Sequence, residues 1–162
     1  MTRPFLVAAG AAAMLGGALR IVAMLTTHAF TAQTLSCFYY AIDVLLMLGL
    51  TGWYVSRAGK LGASGLIGFV VSTAAILMIR STNLFGTQTY VLGSALLLGG
   101  LGIMNLPTLL RRDGSIVAPA LWVASLASGI VAAAFASLTA LAALLFGLGF
   151  VTAGVELIRE KT

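Results

Sequence analysis

Residues 115–157 read SIVAPALWVASLASGIVAAAFASLTALAALLFGLGFVTAGVEL, and Glu156 is the single charged residue among these 43. A helix that crosses the hydrocarbon core of a bilayer needs about 20 predominantly apolar residues, at a rise of about 1.5 Å each. This stretch is therefore about twice as long as one span requires. Dividing it near Ser137 predicts two spans, at residues 116–136 and 138–158, and one long tilted helix is the alternative.

Polar residues divide the rest of the chain into four further apolar stretches. The spans predicted there cover residues 5–26, 36–55, 61–80 and 89–110. A cleaved signal peptide is the alternative for the first span, but the apolar stretch from Phe5 continues to Leu25, which is too long for one. The sequence thus predicts an all-α, polytopic transmembrane helix bundle of six spans, with five as the alternative, in one domain over residues 1–162.

The composition of the chain excludes several classes of protein. Of the 162 residues, 60% are hydrophobic and 8% are charged, and the mean hydropathy is +1.10. Soluble domains contain about 25% charged residues, and disordered segments combine low hydrophobicity with high charge, so both classes are excluded. A single cysteine excludes a disulfide framework.

The basic residues collect on one side of the predicted bundle. Seven of the nine fall there, namely Arg3, Arg57, Lys60, Arg111, Arg112, Arg159 and Lys161. The loops predicted on the other side, at residues 27–35 and 81–88 and near Ser137, carry none. The positive-inside rule therefore predicts that both termini are cytoplasmic. The basic loops are expected to bind anionic lipid head groups, and their scattered charges do not form the basic stripe that binds nucleic acid.

An internal repeat accompanies this layout. Residues 6–60 and 61–115 align without gaps at an offset of 55, with 11 identities in 55 positions. The matches include Phe30 with Phe85 in the two predicted outer loops and Arg57 with Arg112 in the two inner loops. We interpret the repeat as a helical hairpin duplicated in parallel orientation, followed by a third hairpin.

Two ionisable residues lie inside the predicted spans, where a charge is costly unless it faces a partner or water. Arg20 lies about 9 Å below the outer end of the first span, and Asp43 lies about 10 Å below that of the second. Because these spans form a hairpin, the two side chains are predicted to form an ion pair. Tyr39 and Tyr40 precede Asp43 by about one helical turn and share its face.

Three interpretations of these four residues are open. The ion pair could be a structural tie within the hairpin, or Arg20, Asp43, Tyr39 and Tyr40 could line an outward-facing cavity for a small solute, a proton or a lipid head group. In the third, the spans are misplaced and the ion pair does not form. Arg80 is expected to extend to the membrane interface. Glu156 is expected to contact Arg112, Arg159 or head groups.

No cofactor or metal site is predicted. His28 is the only histidine, whereas a haem held by two histidines needs a second one and a zinc site needs three or four ligands. Cys37 lacks a C-x-x-C partner, and no set of catalytic residues is grouped in the sequence. The sequence therefore predicts a protein that is not an enzyme.

Three short segments resemble a pattern common in uncharacterised bacterial multi-spanning membrane proteins. They are LGLTGWY at residues 48–54, SRAG at 56–59 and GLIGF at 65–69. The resemblance implies a helix bundle in the inner membrane, and it implies no activity and no site residues.

These observations lead to three hypotheses for function. The first is an accessory or stabilising subunit that binds other membrane protein subunits, since the chain has short loops and no soluble domain. The second is a small-solute or ion carrier or channel with a polar site at Arg20 and Asp43. The third is a membrane enzyme acting on a lipid or quinone. A polar cavity that reaches Asp43 favours the carrier, and a flat apolar face favours the subunit.

The charge distribution gives a test of topology. A reporter that is active only in the cytoplasm is expected to give a signal when fused to Thr162, because the basic residues favour a cytoplasmic carboxyl terminus. Reporter activity in cells is the measurement. A signal from a periplasmic reporter at the same position instead indicates five spans.

Overall fold

The computed structural model of the protein describes residues 2–26, 31–81, 86–111, 115–132, 135 and 138–160, apart from the side chains of residues 32, 87 and 88. These residues form five helices: α1 (Arg3–Thr26), α2 (Ala32–Arg80), α3 (Thr87–Arg111), α4 (Val117–Ala132) and α5 (Leu138–Arg159). The predicted all-α class is confirmed. All but α4 are long and apolar enough to cross a membrane. With 16 residues, α4 is shorter than the length of about 20 that a span requires.

The prediction of six separate helical spans is not supported, because the described residues form five helices. Two predicted spans, at residues 36–55 and 61–80, belong to α2, whose 49 residues are interrupted only at Gly62. The loop expected between them is helical. The predicted turn near Ser137, together with His28, Arg112 and Lys161, lies outside the described residues.

At Gly62 the chain reverses its direction. This residue has φ 61° and ψ −151°, a conformation that residues other than glycine essentially do not adopt. The rings of Tyr54 and Phe69 stack across the reversal with their centroids 4.6 Å apart. Farther from it, Asp43 pairs with Arg80. The two arms of α2, residues 32–61 and 63–80, are therefore antiparallel neighbours.

Glycine residues allow α1 and α5 to approach closely. A Cβ atom placed on Gly10 would lie 2.7 Å from the carbonyl oxygen of Gly154, and one on Gly17 would lie 2.5 Å from that of Gly147. Real Cβ atoms essentially never come within 3.0 Å of such neighbours, so these positions accept only glycine without a shift of the backbone. Because the contacts pair residues in opposite order, the first and last helices are antiparallel. Small residues at helix interfaces are typical of membrane bundles.

Two further close approaches are related by the 55-residue offset of the internal repeat. A Cβ atom on Gly49 would lie 2.6 Å from Cβ of Ala13, which joins α1 to the first arm of α2. At the offset of 55, Gly68 is equivalent to Ala13 and Met104 is equivalent to Gly49. Gly68 and Met104 are likewise in close contact, between the second arm and α3. The two hairpins therefore share an interface contact. The duplication stays a prediction.

The end of the bundle near Gly62 is called the basic end here, because Arg57, Lys60, Arg111 and Arg159 lie there. Between it and the opposite end, the buried core holds a hydrogen bond from Trp53 Nε1 to Asn105 Oδ1, at 2.9 Å. The amide nitrogen of Asn105 donates in turn to the carbonyl of Leu101, at 2.9 Å. These bonds satisfy polar groups that would otherwise be costly in an apolar core.

The reversal at Gly62 can be tested against a neighbouring glycine. A Cβ atom would meet open space at both Gly62 and Gly59, but Gly59 lies in regular helix. We expect Gly62→Ala to lower the free energy of unfolding by about 1–3 kcal/mol, because alanine is strained at this positive φ. Unfolding in detergent, followed by circular dichroism, measures the change. Gly59→Ala is the matched control and is expected to be neutral or slightly stabilising. Equal effects of the two substitutions contradict the reversal.

Candidate functional site

An ion pair joins the two arms of α2 near the end of the bundle opposite the basic end. Arg80 Nε donates a hydrogen bond to the carboxylate of Asp43. The side chains are 21% and 17% exposed, respectively, so both charges are largely withdrawn from solvent. Asp43 therefore pairs with Arg80 and not with Arg20, the partner predicted from the sequence, and the side chain of Arg80 turns toward Asp43. The physical reason is the reversal at Gly62, which brings Arg80 beside Asp43.

Arg20 lies at the same end of the bundle and contacts neutral groups. Its Nη2 atom donates to the hydroxyl of Tyr90 at 3.2 Å, and its guanidinium carbon lies 5.1 Å from the ring centroid of Tyr39. Of the four carboxylates in the sequence, Asp43 pairs with Arg80, while Glu156 and Glu160 contact Arg57. Asp113 lies outside the described residues. Among the described residues, the charge of Arg20 is not neutralised by a carboxylate.

The two tyrosines predicted beside Asp43 contact the cations. The guanidinium carbon of Arg80 lies 5.4 Å from the ring centroid of Tyr39 and 5.1 Å from that of Tyr40. Tyr39 therefore lies within cation–π distance of both Arg20 and Arg80. Such contacts stabilise a guanidinium group that is partly removed from water.

These polar groups line one cavity of about 1000 Å³. Arg20, Tyr39, Tyr40 and Asp43, the four residues selected from the sequence, all contribute to its wall. The other polar residues of the wall are Arg80, Tyr90, Ser36, Ser94, Ser125 and Thr139. The rest of the wall is mainly aliphatic, and residues from all five helices take part.

One signal in the sequence could have identified Arg80. Asp43 lies 19 residues before Gly62, and Arg80 lies 18 residues after it. A hairpin centred on that glycine therefore places the two residues at the same depth. A loop was instead predicted at residues 56–60, and Asp43 was assigned to a greater depth than Arg80. Tyr90 is the second residue of the span predicted at 89–110, and nothing in that position indicates its contact with Arg20.

A column of aromatic rings connects the cavity with the basic end. Phe146, which lines the cavity, contacts Phe150, and Phe150 contacts Trp122, with both pairs of centroids 5.1 Å apart. Trp122 meets Trp53 edge to face at 5.6 Å. The indole nitrogen of Trp122 is buried and has no hydrogen-bond partner among the described residues. These four rings, which are called the aromatic column here, form a continuous series of contacts from the cavity toward the basic end.

The aromatic column ends at a second cluster of charges. The guanidinium carbon of Arg57 lies 3.5 Å from the ring centroid of Trp53. Its Nη2 atom lies 3.2 Å from Oε2 of Glu156, and Nη1 lies 3.9 Å from Oε2 of Glu160. Ser115 donates to the other carboxylate oxygen of Glu156. Glu156 was expected to meet Arg112, Arg159 or head groups, but the structure pairs it with Arg57, which joins α2 to α5.

The described residues contain no group of three or more His, Cys, Asp or Glu side chains that could hold a metal ion. Cys37 is exposed on α2. A comparison of the chain with protein-family models, with curated proteins and with solved structures found no match.

The ion pair between Asp43 and Arg80 can be tested by a double-mutant cycle. We expect Asp43→Asn or Arg80→Gln alone to lower the free energy of unfolding, because an unpaired charge within a span costs about 2.5–3.5 kcal/mol. The double substitution is expected to recover much of the loss. Unfolding of the purified variants in detergent gives the coupling. The matched control combines Asp43→Asn with Arg20→Gln, whose effects are expected to add. Recovery with Arg20 instead of Arg80 contradicts the observed pairing.

Proposed function

We propose that the protein is a carrier that binds a small solute in the cavity and moves it across the membrane. The observation that supports this proposal is the convergence of Arg20, Asp43 and Arg80 on one cavity of about 1000 Å³. Ligand pockets in proteins have volumes of about 300–1,000 Å³, and they combine an apolar wall with a few convergent polar groups. Ionisable residues within spans are retained mainly where they face a partner, a pathway or a ligand.

The proposed orientation follows from the charge distribution. We infer six crossings of the inner membrane, with the two arms of α2 crossing separately and with α4 completing the last hairpin. Both termini and the basic end then face the cytoplasm, because basic residues are concentrated there. In this orientation the cavity opens toward the outer side.

The aromatic column and the pair of Arg57 with Glu156 form the inner closure of the proposed pathway. Passage of a solute requires both contacts to separate, since they lie between the cavity and the basic end. The unpaired indole nitrogen of Trp122 favours such a change, because a buried donor without a partner costs about 1–3 kcal/mol in the closed arrangement.

An accessory subunit is the second candidate, and two glycines on α3 favour it. A Cβ atom on Gly99 or Gly102 would meet nothing within 4 Å. These residues are three positions apart on one helix, and small residues at such spacing allow a helix of another chain to approach. This candidate predicts migration with a larger complex in mild detergent, whereas the carrier functions without a partner subunit.

Cysteine labelling tests whether the cavity is reached from both sides of the membrane. Cys37 is first replaced by serine, and Ser94, which lines the cavity, is then changed in Ser94→Cys. A maleimide that does not cross membranes is added to right-side-out or inside-out vesicles. A carrier exposes its site alternately to the two sides of the membrane, so we expect labelling from both faces. Glu156→Gln removes the charge that pairs with Arg57 in the inner closure, so it is expected to speed labelling from the cytoplasmic face severalfold.

Two controls accompany this labelling. Ser72→Cys replaces a residue that is 0% exposed and hydrogen-bonded to Leu97, and it should stay unlabelled. Arg159→Gln neutralises an exposed charge at the basic end and should not change the rate. Labelling of Ser94→Cys from one face only contradicts transport, and no labelling from either face contradicts an accessible cavity.

A further inference from the structure

The fixed charges that the described residues contribute to the cavity wall do not cancel. Among these residues, Arg20 and Arg80 contribute two positive charges and Asp43 contributes one negative charge, which leaves a net charge of +1. Arg80 is neutralised by Asp43, so the excess charge belongs to Arg20. A buried or partly buried charge without a counterion is costly in a low-dielectric setting, and an anionic ligand removes that cost.

The donor groups of Arg20 suit an oxyanion. A guanidinium group has five N–H donors in a planar fork, and the Tyr90 hydroxyl accepts from one of its nitrogens. The remaining donors match the paired oxygens of a carboxylate or phosphate group, which arginine binds through two parallel hydrogen bonds. A cation is disfavoured, because the carboxylate of Asp43 already has Arg80 as its counterion.

The deeper wall of the cavity suits an aliphatic chain. Leu46, Ile76, Leu97, Leu98 and Phe146 form much of this part. A small hydrophilic anion would leave these side chains in contact with water. An aliphatic chain removes that apolar surface from water, which stabilises binding.

The rim of the cavity is apolar where α3 and α4 meet the surface. Val91 of α3 is 69% exposed and Ile130 of α4 is 67% exposed, and both line the cavity. In a membrane these side chains face the acyl chains of lipids. A ligand with an aliphatic chain can therefore enter from the bilayer without passing through water.

We propose that the cavity binds an amphiphile that carries one anionic group, a carboxylate or a phosphodiester, on an aliphatic chain. Arg20 and Tyr90 hold the anionic group, and the chain lies against Leu46, Ile76 and Leu97. The inference rests on the cavity of the proposed function and gives its ligand a chemical class.

Binding of oleate and of oleyl alcohol tests this proposal, because the two probes share a chain and differ in their head group. The complete protein is reconstituted in phosphatidylcholine nanodiscs, and affinities are measured by calorimetry. We expect oleate to bind at least about tenfold more tightly, since hydrogen bonds to charged groups contribute about 1.5–3 kcal/mol. Equal affinities overturn the proposal, and so does tighter binding of the alcohol.

Variants locate the anion site. Arg20→Gln is expected to abolish the preference for oleate over oleyl alcohol by weakening the binding of oleate, whereas Arg20→Lys should retain part of the preference. Arg111→Gln is the matched control, because it removes the same charge at the basic end. Tyr90→Phe is a milder change at a half-exposed residue, and it should weaken oleate binding even if Arg20→Gln does not fold. An unchanged preference in Arg20→Gln or in Tyr90→Phe overturns the assignment.

A competition experiment distinguishes the two sources of such a ligand. Displacement of oleate by phosphatidylglycerol in the nanodisc indicates a phospholipid, and no displacement indicates a single-chain acid; both outcomes support the proposal. The failure of the ligand class is distinct from the failure of the proposed function. If the protein binds oleate no more tightly than oleyl alcohol while Ser94→Cys is labelled from both faces, the proposed carrier function stands and its ligand is of another class.

Discussion

The arrangement of the polar side chains in this bundle depends on the free-energy cost of holding a charge away from water. Three ionisable side chains, those of Arg20, Asp43 and Arg80, line one cavity of the bundle. Asp43 and Arg80 neutralise each other, and the rings of Tyr39 and Tyr40 both lie within cation–π distance of Arg80. Arg20 is stabilised by an aromatic ring and a hydroxyl group, which do not neutralise its charge. Asp43 and Arg80 therefore form a structural ion pair, whereas Arg20 keeps a charge that can bind a ligand.

The second constraint is the close contact of helix backbones. Glycines at the interface of α1 with α5 and at that of α2 with α3 allow approaches that any larger residue would prevent. On the side of the basic end the interior is packed with buried apolar side chains, among them the aromatic column, whereas a cavity remains on the opposite side.

Much of the fold could be predicted from hydropathy, and the pairing of charges could not. Long apolar segments identified the helices, and residues 20, 39, 40 and 43 were selected because polar groups are costly within a span. The reversal was predicted at residues 56–60 and lies at Gly62, because a glycine among many gives no sign of a positive φ. Arg80 was correctly assigned to the end of its helix, but its side chain was expected to extend outward, which left Arg20 as the predicted partner of Asp43. Contacts such as that of Arg57 with Glu156 join residues 99 positions apart, and hydropathy gives no information on such partners.

The contact between α1 and α5 has a consequence for the order of assembly. Translation runs from the amino terminus, so α1 is synthesised before α5, with which it packs through Gly10 and Gly17. Until α5 has been synthesised, α1 lacks this packing partner, and the carboxylate of Glu156 that pairs with Arg57 has not yet been translated. The observed arrangement of α1 to α5 can therefore form only after α5 has been made, and loss of α5 removes contacts from both Gly10 and Arg57.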